Sequence, residues 1–66
     1  MNLNFLNKKI KESGITKITI AKALGETSQS LWLKLSGENN FSLKNAAVLV
    51  DLLHLTDSEA VEIFLK

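Results

Sequence analysis

Apolar residues return at intervals of three and four along most of the chain, the period of a helix with one buried face. Leu3, Leu6 and Ile10 recur with lysines between them and Phe5 beside them, which predicts a first helix over 3–13. Ile20, Ala21 and Leu24 give the inward face of a second helix at about 17–24, with Ile18 off the stripe and partly exposed. Leu31 and Leu35, four apart, do the same for a third at about 28–36, so that Ser28, Gln29, Trp32 and Leu33 face outward or sideways. From 43 to 53 the apolar residues are almost continuous: Leu43, Ala46, Ala47, Val48, Leu49, Val50, Leu52 and Leu53. A helix apolar nearly all round is buried on more than one side. Residues 43–53 are therefore the central helix or part of a subunit contact. Ala60, Val61 and Phe64, with Ile63 and Leu65 on other sides, mark a fifth helix at about 57–65.

The punctuation agrees with the periodicity. There is no proline, and the three glycines, Gly14, Gly25 and Gly37, each fall where a helix should stop. Glycine is favoured just past helix C-termini because it accepts positive φ. Thr16, Thr27 and Ser42 stand where N-caps are needed. Thr56-Asp57-Ser58-Glu59 has the spacing of a capping box, and Asp57 suits the positive end of a helix dipole. Gly37-Glu38-Asn39-Asn40 reads as a polar turn from which Phe41 re-enters the core. Five short helices in 66 residues predict one compact all-α domain spanning 1–66.

Thr16 to Gly37 is the organising stretch. Ala21 lies four residues before Gly25 and Leu31 six after it. A small residue at 21 lets two helices approach, glycine at 25 turns the backbone through positive φ, and leucine at 31 pins the second helix to the core. That is the spacing logic of a helix-turn-helix, whose second helix can enter a DNA major groove.

Composition narrows the classes. Apolar residues form 45% of the chain, which argues against disorder. A domain of this size hides only about 60% of its unfolded surface, so self-association would help it. No cysteine is present, hence no disulfide framework or thiolate metal site. No apolar run nears the roughly 18 residues of a membrane span and no signal-peptide layout opens the chain, so a cytoplasmic protein is expected. Eight lysines face seven carboxylates, with no arginine, for a formal charge of +1. The total is not that of a strongly basic nucleic-acid binder. The distribution is polarised: Lys8, Lys9, Lys11, Lys17, Lys22, Lys34 and Lys44 precede the acidic Asp51, Asp57, Glu59 and Glu62. One histidine, no cysteine and no Gly-rich phosphate loop give catalysis little support. No metal, cofactor or small-molecule ligand is expected.

Gly14-Ile15-Thr16, Ala21-Lys22-Ala23-Leu24-Gly25, the segment 30–37 (SLWLKLSG), Phe41-Ser42-Leu43, the segment 52–56 (LLHLT) and Glu62-Ile63-Phe64-Leu65 together resemble the phage Cro and repressor class of helix-turn-helix proteins. The last three segments are similar to short Cro-like regulators from phages and integrated elements of low-GC Gram-positive bacteria. The resemblance covers nearly the whole chain. It implies a five-helix, lambda-repressor-like domain that represses transcription as a dimer on a double-stranded DNA operator, with residues 28–36 in the major groove. It also implies base-reading positions at Ser28, Gln29, Trp32 and Leu33. Gln29 can pair bidentately with adenine and Ser28 can bond several bases, whereas Trp32 and Leu33 can only touch a thymine methyl. The phosphate-binding positions it implies are Lys17, Lys34, Ser36, Asn40 and Ser42, with the backbone near Leu43 at the start of the fourth helix, and Lys44 in reach of the same strand. Helix N-termini hold phosphate oxygens without a charged side chain. The departures are Lys17, where the family often has glutamine, the acidic Glu38-Asn39-Asn40, where the loop after Gly37 is usually basic, and Glu26, an acidic residue beside the recognition helix. They bear on affinity more than on fold.

Each position has a plainer use beside the functional one. Trp32 can be a DNA contact, an anchor for a protein partner or a core residue. His54 can be a metal ligand or pH switch, or a left-handed cap. Gln29 can be a base reader or an ordinary exposed residue. Lys8, Lys9 and Lys11 can be a solvated helix face or a contact surface. Val48, Leu49, Leu52, Ile63 and Leu65 can be core, or Leu49, Leu52, Ile63 and Leu65 a homodimer surface. The competing function is a protein of the same fold that binds another protein, as a repressor antagonist or host-defence inhibitor. The low net charge, the acidic loop and the apolar Trp32-Leu33 pair favour it.

Overall fold

Every helix starts on a side chain that satisfies an amide the helix itself leaves unpaired. The computed structural model describes all 66 residues as α1 (Leu3–Ser13), α2 (Lys17–Leu24), α3 (Ser28–Leu35), α4 (Leu43–Leu52) and α5 (Asp57–Phe64). Thr16 accepts from the Thr19 amide at 3.2 Å and Thr27 from the Ser30 amide at 3.1 Å. Ser42 accepts from Asn45 at 3.0 Å and Thr56 from Glu59 at 3.1 Å. The Glu59 carboxylate accepts in return from the Thr56 amide at 2.9 Å, which completes the expected box. Two caps lie outside the sequence expectation. Asn2 caps α1 by accepting from Phe5 at 3.0 Å, and Asn45 closes a second box by accepting from the Ser42 amide at 3.2 Å.

The helix ends follow the glycines. Gly25 has φ 71°, and the next amide, Glu26, donates back to the Ala21 carbonyl at 2.9 Å. Gly37 has φ 92°, and a β-carbon there would also lie 3.3 Å from Leu3 Cδ1. His54 has φ 53°, the left-handed conformation expected for a residue just past α4. The third, fourth and fifth helices each stop one residue before the expected end, at Leu35, Leu52 and Phe64. Ser36, Leu53 and Leu65 serve as C-caps.

Ten apolar residues form the core: Leu6 and Ile10 of α1, Ile20 and Ala21 of α2, Leu31 and Leu35 of α3, Leu49 of α4, Leu53 and Leu55 after it, and Ile63 of α5. α2 packs on both α3 and α4, and α1 packs on α5. Burying a leucine this completely is worth about 2–5 kcal/mol relative to alanine. The chain ends are tied together, because the Asn2 amide donates to the Ile63 carbonyl at 2.8 Å. Lys9 of α1 pairs with Glu59 of α5 at 2.7 Å across the same seam.

α4 departs from the expectation of burial on several sides. Only Asn45 and Leu49 are buried along it, and Leu43 is 89% exposed. The surplus apolar residues lie on its outer side, where Leu43, Ala47 and Val50 face Val61, Phe64 and Leu65 across a shallow groove. Of the four residues expected at a subunit contact, Leu49 and Ile63 are wholly inside the chain and present no surface. Leu52 is half-buried and Leu65 is 77% exposed. Leu49 and Ile63 point inward because their helices have a single core-facing stripe, and both residues fall on it.

Candidate nucleic-acid interface

α3 is eight residues long and shows two unlike sides. Leu31 and Leu35 are buried against α2 and the core. Ser28, Trp32 and Gln29 run round the helix from the edge of that buried stripe and are exposed, with Leu33 half-buried beyond Gln29. At about 100° of rotation per residue, Ser28, Trp32 and Gln29 share one arc of about 100°. Trp32 is 60% exposed, so core packing is not its use. Thr27 takes up the Ser30 amide, which leaves the amides of Ser28 and Gln29 open at the same end of the helix. The face therefore offers a side-chain amide, a hydroxyl, open backbone donors and a large aromatic surface.

The residues expected at phosphate separate into two groups. Lys17, Ser36, Asn40, Ser42 and Lys44 are exposed. Lys17 stands at the start of α2 beside Lys11, on the rim of a cleft between α1 and α2. The Ser36 hydroxyl donates to the Leu33 carbonyl at 2.9 Å. The Ser42 amide is taken by Asn45, but the amides of Leu43 and Lys44 have no partner within the chain. The open donors at the start of α4 are therefore those of Leu43 and Lys44.

Lys34 corrects the expectation. It lies about 160° round the helix axis from Trp32, and its side chain is only 14% exposed. Its ammonium donates to the carboxylate of Glu26, itself 17% exposed, and to Asn45 Oδ1 at 2.8 Å. It also sits 6.0 Å from the centre of the Phe41 ring. The other Glu26 oxygen accepts from the Ser30 hydroxyl at 2.6 Å. Hydrogen bonds from Lys34 and then Ser30 hold the Glu26 carboxyl below its ordinary range. This lysine is committed inside the chain and adds no charge to the exposed face. The same pairing neutralises Glu26, whose charge is thereby removed from the flank of α3.

The polar cluster had a trace in the sequence. Glu26, Ser30 and Lys34 are four apart, the spacing of side chains along one edge of a helix. Ser42 and Asn45 have capping-box spacing, with asparagine replacing the usual glutamate or glutamine. Lys8 and Lys11 are exposed on α1, whereas Lys9 is held by Glu59. Glu38 is exposed in the turn after α3. No helix is long and apolar enough to cross a membrane. The chain matches no protein-family model, and comparison with curated proteins and with solved structures also gives no match.

Proposed function

We propose that this chain is a sequence-specific DNA-binding transcriptional regulator of the Cro-like, lambda-repressor-like helix-turn-helix class, acting as a homodimer on an operator. The observation that carries the reading is the exposed arc of Ser28, Gln29 and Trp32 on a short helix, held to α2 by the left-handed turn at Gly25. In this reading α3 lies in the major groove. Gln29 pairs with an adenine edge, Ser28 bonds a neighbouring base, and Trp32 and Leu33 cover thymine methyl groups. Lys17, Asn40, the Ser42 hydroxyl, Lys44 and the open amides of Leu43 and Lys44 hold phosphates on either side, and Ser36 joins them when its hydroxyl turns from the Leu33 carbonyl. Two subunits read half-sites about one helical turn apart. With about three to five phosphate contacts per subunit, the dimer's log–log salt slope falls near −5 to −9.

Selection of bound sequences from random duplex DNA tests the reading directly. Trp32, the single tryptophan, reports the titration, since stacking or burial against DNA changes its emission. Enrichment of a two-half-site sequence with a matching change in Trp32 fluorescence supports it. Absence of enrichment at low salt overturns it.

A second reading rests on Trp32 itself, an exposed aromatic of the kind that anchors protein interfaces. With Lys34 neutralised by Glu26, α3 carries no free positive charge. In that reading the same face binds a protein, as a repressor antagonist or host-defence inhibitor does. Failure to bind heparin or non-specific DNA at low salt, together with a co-purifying partner, selects it.

A further inference from the structure

We propose that Lys34 is a positioning residue that sets the angle between α3 and the start of α4. The proposal rests on the DNA-binding reading for its consequence, though not for its geometry. α3 and α4 each pack principally on α2. The one side-chain hydrogen bond between them runs from Lys34 Nζ to Asn45 Oδ1. That oxygen also accepts from the Ser42 amide, so the bond ends on the residue that shapes the first turn of α4. At its other side the ammonium is held by Glu26, which Ser30 fixes in turn. A continuous polar chain thus joins the turn before α3, the edge of α3 and the N-cap of α4.

An apolar pair at 26 and 34 fills the same space and spares the desolvation of two charges. Apolar contacts are non-directional, however, and leave two helices free to rock about a shared neighbour. Charge-assisted hydrogen bonds to a fixed acceptor do not. The polar chain holds two surfaces in register: the exposed arc of α3, and the open amides of Leu43 and Lys44. In DNA binding the first meets base edges and the second a phosphate, and both must be met at once. Lys34 thereby acts on specificity without touching DNA.

The test is the double variant Glu26→Gln/Lys34→Met. It removes one charge of each sign, so net charge is unchanged, and methionine keeps an unbranched side chain close to the lysine stem in length. It is compared with the unaltered chain by thermal melting, by residual dipolar couplings, and by titration with the selected operator and with random duplex. The expected result is a folded variant with couplings that require a changed α3–α4 angle. Operator affinity falls about tenfold or more, random-duplex affinity is retained, and the salt slope is unaltered. Couplings that fit the original angle overturn the proposal whether or not DNA binds. A slope shallower by about one per subunit also overturns it, because Lys34 is then a phosphate ligand. An unaltered chain that binds no DNA, with couplings that change in the variant, sinks the DNA reading and leaves the positioning role standing.

Discussion

Under the regulator reading, single residues divide by what DNA would meet of them. Gln29 is exposed and its amide can match one base, so Gln29→Ala should cost about 1–3 kcal/mol on the selected operator and relax one base position. Lys17 carries a charge and no base information. Lys17→Ala should weaken all duplexes alike and reduce the salt slope by about one per subunit. Competition titrations with single-base operator variants separate the two. A uniform loss from Gln29→Ala would remove that residue from base reading. The exposure of Gln29 and Trp32 was legible from Leu31 and Leu35, since a period of 3.6 turns both away from that stripe, whereas Ser28 lies three and seven residues before the two leucines, shares their side, and is exposed in the first turn of the helix. The inward turn of Lys34 was not, because a lysine is ordinarily solvated and is buried only when paired. Its partner Glu26 stands eight positions back, and its other acceptor Asn45 belongs to another helix. The four-residue spacing of Glu26, Ser30 and Lys34 hints at one shared edge, but no local pattern brings Asn45 of α4 to it.

At the scale of elements, helix starts and stops were the most legible part of the fold. Caps are local: a side chain bonds an amide two or three residues along, so the residue types suffice. Asn2 and Asn45 escaped because one lies at the chain terminus and the other closes its box with an atypical residue. Gly25 offers a clean measure of a turn. A β-carbon there meets nothing within 4 Å, so only backbone strain opposes it. Gly25→Ala should cost about 1–2 kcal/mol by chemical denaturation with an unchanged m-value. A much larger loss would mean that the turn is strained beyond its φ. The ties between elements give a pH signature. The Lys9 ammonium holds the Glu59 carboxyl below its ordinary value of 4.5, as Lys34 and Ser30 do for Glu26. A carboxyl lowered on folding stabilises the fold above its unfolded value and loses that contribution as pH falls through the lowered one. Lys9 is raised by the same hydrogen bond, so its share is complete below 10.5 and is lost above it. Melting temperature should therefore be level from neutrality to about pH 5 and fall below about 4.5. Glu59→Gln should flatten part of that fall, and a profile unchanged by it would show that the α1–α5 pair adds nothing.

The whole molecule is small, and its outer apolar side has no partner within the chain. A single domain of this length hides about 60% of the surface its unfolded chain exposes. It nevertheless leaves Leu43, Val61 and Leu65 exposed together, beside half-buried Val50 and Phe64. The sequence pointed to a surplus of apolar residues there but misplaced it. It counted Leu49 and Ile63 toward a contact when both are needed inside. Periodicity shows that a helix has more apolar residues than one face requires. It does not show which of two adjacent stripes meets the core. Under the regulator reading, this side is where two subunits meet, because an operator with two half-sites gains affinity only when its readers are joined. Val61→Lys/Leu65→Lys places two ammonium groups in that contact while leaving the core untouched. The variant should melt close to the unaltered chain. It should sediment as a monomer where the unaltered chain is a dimer, free or on the operator. Binding to an isolated half-site should be retained, while the advantage of the complete operator over the half-site disappears. An unaltered chain that stays monomeric both free and on the complete operator would leave Leu43, Val61 and Leu65 without a partner copy and the operator to be read by one subunit.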